Sequence, residues 1–288
     1  MGAVRWLSAL PAFLALLPFL AWMAGTAEAA GSVGCGRPPP WSVPDHVVLE
    51  GRERRLIADL PADYDSRRPH RLVVAFHGRT NDNARVRDYY GLEKPAGGDP
   101  TIFVYPLALR QADGTFSWSD PGDSSGSLRD YALFDTIVAR FARDYCIDPD
   151  GIFVVGHSLG ASFVNSLACA RGDLIRGIGS VAGGIQRSHC RGSVAALVLH
   201  NPADKLVPFS EGERARDALV AQNGQDEATA EPAEVGGFEC ERFANHDPAN
   251  PVLWCPHHQN QTSRGRYYPH QWPSGTGEAI MDFFATLR

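Results

Sequence analysis

The chain has 288 residues, of which 44% are hydrophobic and 21% charged, a composition ordinary for a globular protein long enough to bury one large core. Its 33 acidic and 27 basic residues leave a net charge of −6, and the sequence holds no basic stripe or Lys/Arg cluster. A chain of this size can bury its core as one α/β domain, and its charge pattern argues against nucleic acid as a partner.

The first predicted element is an export signal over residues 1–29. An apolar run over residues 6–23 contains two prolines, and Ala-Glu-Ala at residues 27–29 supplies the small side chains that a signal peptidase requires. A membrane anchor is the alternative, because about 18 apolar residues can just span a bilayer. The prolines and the small residues favour cleavage. We therefore expect a secreted protein, extracellular or periplasmic, whose mature part, residues 30–288, is one domain that does not contact the membrane.

Strand-like segments follow along the mature chain. Residues 46–50 and 54–60 are predicted to form an antiparallel edge. Five short runs rich in Val, Ile, Leu and Phe come next: residues 71–78, 101–106, 151–156, 175–183 and 195–201. Runs of this kind are typical of strands that are buried on both faces.

Helix-like segments alternate with these strands. Apolar side chains recur at three- and four-residue spacing over residues 128–141 and again over the closing segment, residues 277–287. The polar stretch GQDEATAEPAE, residues 224–234, is predicted to be a surface loop. This alternation predicts a mostly parallel sheet covered by helices on both faces.

All six cysteines lie in the mature part, and an even number in an exported chain indicates disulfides. Six cysteines allow 15 pairings, among which the sequence alone does not choose. Proximity along the chain favours Cys169–Cys190 and Cys240–Cys255, which leaves Cys35–Cys146.

A metal cluster is the alternative for part of this set. Cys255 lies near His246, His257 and His258, all of which are possible ligands. The segment lacks a matched second pair of ligands of the zinc-finger kind, so we expect no metal site.

The most informative motif is Gly-His-Ser-Leu-Gly at residues 156–160, between a predicted strand and a predicted helix. In such a strand-turn-helix unit Ser158 occupies a sharp turn, and Gly156 and Gly160 leave room where the backbone doubles back. The turn raises Oγ above the sheet and places it at a helix N-terminus, which favours negative charge. A plain glycine-rich turn is the alternative, but the position between strand and helix favours a nucleophile.

A nucleophilic serine needs an acid and a histidine, which follow it in that order in this arrangement. Asp204 comes just after the run 195–201 and is the predicted acid, although an Asp at this position also suits a turn. The candidate bases are His246, His257, His258 and His270. We predict His270, because it lies in a loop ahead of the final helix whereas His257 and His258 adjoin a predicted disulfide.

Two backbone N–H groups are predicted to form an oxyanion hole. One belongs to Leu159, directly after the serine. The second belongs to Arg79, or with less support to Thr80, in the turn FHGRTND; a plain strand-end turn is the alternative. His77 and His157 each adjoin a tight turn, and we expect both to be structural.

Substrate contacts are predicted for Trp118, Trp272 and Thr80. Trp118 lies in a Gly/Ser-rich loop, and Trp272 follows the predicted base by two residues. Both loops are expected on the rim that carries Ser158, where flat rings can stack on a phenolic acyl group or a sugar. The alternative is that the tryptophans only pack the loops.

Eight stretches together resemble one family: GCGRPPP, FHGRTND, YYGLE, TIFVYP, GHSLGASFVNSLACAR, SVAGG, HNPADKLVPF and HQWP. They are similar to the secreted feruloyl esterases and polyhydroxybutyrate depolymerases, which are α/β-hydrolases, from about Cys35 to the C-terminus. The resemblance implies an α/β-hydrolase catalytic domain over residues 30–288 with Ser158, Asp204 and His270 as its triad. It also implies a serine esterase that forms an acyl-enzyme from feruloyl-type esters of plant cell-wall polysaccharide or from hydroxyalkanoate esters.

The sequence departs from this family in three places. Tyr268 and Pro269 precede the histidine where two glycines are common, an insert containing CPHHQNQTSRGR lies ahead of them, and Arg79 replaces a smaller or uncharged residue. These departures bear on the substrate more than on the chemistry.

The expected partner is an ester substrate, either a small molecule or an oligosaccharide or polyester, and we expect a monomer that needs no cofactor. Three alternatives stay open. An acyltransferase of the mycolyl type would use the same triad with another acceptor, a binding protein would have lost a member of the triad, and a membrane-tethered lipase would keep its N-terminal segment.

Overall fold

The computed structural model describes residues 1–2, 31–93, 100–119, 129–186 and 189–287. Residues 3–29 of the predicted export signal lie outside these ranges. Among the described residues no helix is both long and apolar enough to cross a membrane.

The described residues form these strands: β1 (His46–Leu49), β2 (Arg52–Asp59), β3 (His70–Phe76), β4 (Thr101–Pro106), β5 (Leu109–Arg110), β6 (Phe116–Ser117), β7 (Ile147–His157), β8 (Gly177–Val181), β9 (Ala195–His200), β10 (Glu231–Val235), β11 (Phe238–Phe243) and β12 (Val252–Pro256). The α-helices are α1 (Asn83–Tyr90), α2 (Arg129–Asp144), α3 (Leu159–Arg171), α4 (Phe209–Gln222) and α5 (Thr276–Thr286).

Ten of these strands make one sheet in the order β1-β2-β4-β3-β7-β8-β9-β12-β11-β10. The six central strands, from β4 to β12, run parallel to one another, and the pairs at each edge are antiparallel. Strands β5 and β6 form a separate hairpin. Because the central strands are parallel, their carboxyl ends meet at one edge of the sheet, where ligand sites of open α/β sheets lie.

Helices cover both faces of the sheet and bury its side chains. Apolar residues of α2, α3 and α4 pack against one face, and those of α1 and α5 pack against the other. Strands β4 and β9 are buried along their whole length, which explains why their sequences are almost continuously apolar. The core thus has two layers, one on each side of the sheet.

The structure confirms the predicted edge pair as β1 and β2 and the five predicted buried strands as β3, β4, β7, β8 and β9. The predicted surface loop over residues 224–234 is wrong at its end, because residues 231–235 form the edge strand β10 against β11. Sequence analysis missed β10 because it holds Pro232 and two glutamates, which suit a strand only at an edge.

Three disulfides cross-link the described part of the chain. They join Cys35 to Cys146, Cys169 to Cys190 and Cys240 to Cys255, the pairs that proximity along the chain favours. The last of these links the neighbouring strands β11 and β12. Each bridge closes a loop in the unfolded chain and so lowers the conformational entropy of that state.

Candidate active site

The turn between β7 and α3 has the geometry that the sequence predicts for a nucleophile. Ser158 has φ 59° and ψ −123°, a conformation rarely adopted by a residue with a side chain. A Cβ on Gly156 would lie 2.4 Å from the carbonyl carbon of Gly160, and one on Gly160 would lie 2.2 Å from the oxygen of Phe76. Both glycines are therefore required by the close approach of backbone segments.

The structure brings Ser158, His270 and Asp204 together in one hydrogen-bonded series. Ser158 Oγ lies 2.7 Å from His270 Nε2, and His270 Nδ1 lies 2.5 Å from Asp204 Oδ2. The three residues follow β7, β12 and β9, so the parallel sheet places them at one edge. His270 and Asp204 are buried, whereas Ser158 is partly exposed at the mouth of the site.

Asp204 is held in place by the backbone that follows it. Its Oδ1 accepts hydrogen bonds from the N–H groups of Leu206, at 2.8 Å, and Val207, at 3.1 Å. Burial opposes ionisation of this carboxyl, but the hydrogen bond from His270 and the two N–H groups outweigh it and keep the pKa of Asp204 below its ordinary value. The carboxylate is therefore charged near neutral pH and orients the imidazole.

The two predicted oxyanion donors lie beside the serine. Leu159 follows Ser158 in the turn, and a Cβ on Gly78 would stand 3.4 Å from the Cβ of Ser158, so the Gly78–Arg79 backbone passes close to that serine. Within the part of the chain that the structure describes, the N–H groups of Leu159 and Arg79 donate to no other group. Thr80 is exposed in the same turn.

The side chain of Arg79 takes no part in this arrangement. Its guanidinium donates to Asp113 at 3.0 Å and to Thr115 at 3.3 Å, on the β5–β6 hairpin, and is exposed. The backbone oxygen of Arg79 accepts from the N–H of Phe116 at 2.9 Å. The hairpin therefore holds the turn, and the charge of Arg79 is paired away from the serine.

His77 holds the other end of this turn. Its Nδ1 donates to the oxygen of Gly78 at 2.8 Å, and its Nε2 accepts from the N–H of Ala108 at 3.1 Å. Burial lowers the pKa of His77, so the ring is neutral and serves both contacts at once. The contacts are those of the structural role expected for His77.

His157 bridges His270 and an exposed tyrosine, Tyr89. Its Nε2 donates to the backbone oxygen of His270 at 3.1 Å, and its Nδ1 accepts from the hydroxyl of Tyr89, also at 3.1 Å. Burial lowers the pKa of His157 to about 3, which keeps the ring neutral in this donor and acceptor arrangement. Sequence analysis expected only support of a turn and missed the link to Tyr89 and His270.

Comparison with curated proteins shows the family. The chain is 30% identical to feruloyl esterase C of Emericella nidulans over 216 residues, which is 72% of this chain and 73% of that enzyme. The chain belongs to the feruloyl esterase family. It is also 29% identical to feruloyl esterase D of Neurospora crassa over 268 residues, 87% of this chain and 88% of the relative. As a member of this family it is a carboxylic ester hydrolase.

A more distant relationship extends to a polyester-degrading enzyme. The esterase is 27% identical over 156 residues to poly(3-hydroxyalkanoate) depolymerase C of Paucimonas lemoignei, covering 53% of this chain and 37% of that enzyme. No protein-family model matches the sequence.

Solved structures agree on the α/β-hydrolase fold. An acetyl xylan esterase from Aspergillus awamori superposes with a TM-score of 0.56 at 14% identity, over 80% of this chain and 93% of the other. A carboxylesterase from Bacillus cereus gives the same TM-score at 12% identity, over 81% and 94%. At such identities the likeness shows the fold alone.

Trp118 does not occupy the open position expected from the sequence. It is 3% exposed, its ring stacks on Phe163 at 5.6 Å and meets Phe76 edge-on at 5.1 Å, and its Nε1 donates to the oxygen of His77 at 2.8 Å. The correction has a physical reason: a large aromatic ring gains more from burial in this layer than from exposure at a rim. In the esterase Trp118 supports the turn at His77.

Trp272 lies at a cleft of about 790 Å³. The ring is half-buried and stacks on Tyr90 with centroids 4.0 Å apart. Tyr89, Tyr268 and His157 line the same cleft. Tyr89 and Tyr268 were not singled out in the sequence, although YYGLE and the departure at Tyr268 were both noted there.

The four residues considered for a metal cluster do not assemble one. Cys255 is bonded to Cys240, and His258 is exposed. Across the described ranges no group of three or more His, Cys, Asp or Glu side chains is arranged to hold a metal ion. His257 is buried with both ring nitrogens unpartnered, and burial lowers its pKa to about 4.

Proposed function

We propose that the esterase cleaves its substrate by two-step acyl transfer with Ser158 as nucleophile, His270 as base and Asp204 as the residue that orients it. The observation that supports this proposal is the series of 2.7 and 2.5 Å hydrogen bonds from Ser158 Oγ to Asp204 Oδ2. A nucleophile activated by a base, which a carboxylate orients, is what ester attack at neutral pH requires.

In the first step Ser158 Oγ attacks the ester carbonyl carbon while its proton passes to His270 Nε2. The carbonyl oxygen becomes an oxyanion, which the N–H groups of Leu159 and Arg79 stabilise. His270 then returns the proton to the leaving alcohol oxygen, and the C–O bond breaks to give an acyl-enzyme. Water attacks this ester by the same route and releases the acid, so the chain itself supplies every group that the proposed reaction uses.

The substrate that we propose is an ester of a hydroxycinnamic acid such as ferulic acid. Support comes from relatives with this name that match the chain over most of its length, at 29 and 30% identity. Hydroxyalkanoate oligomers are a second candidate, favoured by the match to the depolymerase, which covers only 37% of that enzyme. Because the feruloyl esterases match more of the chain, we propose ferulate esters as the first candidate.

The proposed setting is extracellular or periplasmic. Export by a signal over residues 1–29 would leave residues 30–288 as one catalytic domain, which we propose to be monomeric. Three disulfides within that domain fit an oxidising compartment. Sequencing the N-terminus of secreted protein tests this, because a start near Ala30 is expected and retention of residues 1–29 would favour a tethered enzyme.

The experiment that tests the activity compares wild type and Ser158→Ala on methyl ferulate, a short acetate ester and a hydroxybutyrate trimer. We expect ferulate to be cleaved with the highest kcat/KM and the variant to fold normally with kcat lower by about 10⁶. Retained activity in Ser158→Ala would contradict the assignment of the nucleophile. If sugar or glycerol acceptors took the acyl group faster than water did, the enzyme would be an acyltransferase.

A further inference from the structure

The acid and the base of the proposed triad lie on separate loops. Asp204 follows β9, and His270 lies between β12 and α5, 66 positions further along the chain. His270 Nδ1 nevertheless lies 2.5 Å from Asp204 Oδ2. A hydrogen bond weakens as its donor and acceptor move apart, so this contact requires the two loops to keep one relative position.

One short segment, residues 259–261 of the insert CPHHQNQTSRGR, is bonded to the loop that carries the base. Gln271, which directly follows His270, donates from Nε2 to the backbone oxygens of Gln259 at 2.6 Å and Gln261 at 2.8 Å. The side chain of Gln271 is buried. Water does not replace the partners of a buried amide, so these two hydrogen bonds fix where the loop lies against the segment.

Two more hydrogen bonds attach the loop of the base to the same segment. The N–H of Tyr268 donates to the backbone oxygen of Asn260 at 2.7 Å. The N–H of Ser274 donates to Oε1 of Gln259 at 2.9 Å. Tyr268 precedes His270 in the chain and Ser274 follows it, so the loop is attached to the segment on both sides of the base.

The segment is also bonded to the loop that carries the acid. Asn201 is buried, and its Nδ2 donates to Oδ1 of Asn260 at 2.8 Å and lies 3.4 Å from the backbone oxygen of Gln259. Asn201 holds its own turn as well, because its Oδ1 accepts from the N–H of Ala203 at 2.9 Å and its backbone oxygen accepts from that of Asp204 at 3.0 Å. One asparagine thus joins the turn of the acid to the insert.

From these contacts we infer that residues 259–261 form a clasp that holds Asp204 and His270 in contact, with Asn201 and Gln271 as positioning residues at its two ends. The insert is one of the places where the sequence departs from the family pattern, so the clasp is a feature of this chain. Asp204 orients the imidazole and stabilises the charged form that appears when it takes the proton of Ser158. A small displacement of such a group lowers the rate of the chemical step. The inference rests on the proposed function, since it assigns roles relative to that triad.

The acid end of the clasp is tested at Asn260, which is half-buried and, unlike Gln259 and Gln261, is not a lining residue of the cleft at Trp272. Asn260→Ala removes the acceptor of the hydrogen bond from Asn201. We expect kcat on methyl ferulate to fall about tenfold, the equivalent of one lost hydrogen bond, with KM close to that of wild type. Asn260→Asp keeps an oxygen acceptor at the same position and should recover most of kcat.

The base end is tested with Gln271→Met, which keeps the length of the side chain and removes its donor. Here too kcat should fall about tenfold. Gln222→Met is the matched control, because Gln222 Nε2 also donates to two backbone oxygens, those of Ala168 and Gly192, at 3.1 Å each. Gly192 precedes β9 whereas Asp204 follows it, so the control removes the same kind of contact at the other end of that strand. It should lower the melting temperature and leave kcat unchanged.

Proton NMR separates a positioning role from general support of the fold. An Nδ1–H that a histidine donates to a carboxylate in a short hydrogen bond resonates far downfield of ordinary N–H protons, and its position reports the strength of that bond. We expect this resonance of His270 to move upfield or broaden in Asn260→Ala and Gln271→Met, and to stay unchanged in Gln222→Met.

The clasp would be overturned if folded Asn260→Ala and Gln271→Met kept wild-type kcat, or if kcat fell while the resonance of His270 stayed in place. Asn260→Ala is sufficient by itself should Gln271→Met, at a buried position, fail to fold. Neither result would affect the proposed triad. Activity retained in Ser158→Ala or His270→Ala would instead overturn the proposed function.

Discussion

His157 donates a hydrogen bond from Nε2 to the backbone oxygen of His270, at 3.1 Å. The two residues are 113 positions apart in sequence, and their rings lie 5.1 Å apart. Tyr89 donates a hydrogen bond to the other ring nitrogen of His157. Both ring nitrogens therefore have a partner, one as donor and one as acceptor. His157, which directly precedes Ser158, therefore holds the backbone of His270 in position.

The first prediction is that His157 is a positioning residue. His157→Phe keeps a ring but removes both hydrogen bonds, so kcat should fall by about tenfold, the equivalent of one lost hydrogen bond, with little change in KM. His157→Gln, whose amide can reach the oxygen of His270, should recover part of the loss. A lower melting temperature with wild-type kcat in His157→Phe would show that the residue only supports the fold.

The second prediction concerns which histidine is the base. His270→Ala should lower kcat by about 10⁴–10⁶, since the proton of Ser158 then has no acceptor. His258→Gln should keep most of the activity, because that ring is exposed and makes no contact with the series Ser158–His270–Asp204. Measuring the rate of methyl ferulate hydrolysis by both variants, with circular dichroism to check that each is folded, shows which histidine acts as the base. An inactive, folded His258→Gln would require another base.

The third prediction is a loss of stability in mild acid. Burial lowers the pKa of five histidines: His70, His77, His157, His200 and His257. In the unfolded chain these rings take up protons below about pH 6.5, whereas the native state keeps His257 neutral down to about pH 4 and His157 down to about pH 3. The free energy of unfolding should therefore fall as the pH falls from 7 towards 4, by up to about 1.4 kcal/mol per pH unit for each such ring.

Urea unfolding at pH 7, 6 and 5 measures the slope of the free energy of unfolding against pH. His257→Leu removes one buried titrating ring whose nitrogens have no partner. The free energy of unfolding should therefore depend less steeply on pH, by the equivalent of about one proton taken up on unfolding. His258→Gln, which replaces the exposed neighbouring ring, is the substitution control. A slope unchanged in His257→Leu would mean that this ring does not titrate on unfolding.

The fourth prediction is that Trp118 supports the turn at His77, Gly78 and Arg79. Trp118→Ala should destabilise the fold by about 3–5 kcal/mol, because the ring is buried against Phe76 and Phe163. Trp118→Phe keeps most of the packing but loses the hydrogen bond to His77, so kcat should fall equally for aryl and acetyl esters. A selective loss on aryl esters would restore the contact with substrate that the sequence suggested.

The sequence by itself was sufficient for features that neighbouring residues specify. The nucleophile turn follows from local sterics, because only glycines at residues 156 and 160 fit where the backbone doubles back. The buried strands follow from runs of apolar residues, which suit both faces of a covered sheet. The order of elements predicted Asp204 after a buried strand and His270 ahead of the final helix, and the structure has Asp204 just after β9 and His270 in the loop between β12 and α5.

Only the tertiary structure decided which distant residues meet and which side chains face solvent. The contact of His270 with Ser158 joins positions 112 apart, and it depends on β12 pairing beside β9 in the sheet. Trp118 has a polar, glycine-rich neighbourhood in sequence, yet the layer beneath it buries the ring. The insert gave no periodic signal, and the structure places its residues Gln259 and Gln261 at the cleft of Trp272, held by hydrogen bonds from Gln271. Local sterics and hydrophobic periodicity act within a few residues, whereas these contacts depend on strand order and on packing between elements that the sequence does not place side by side.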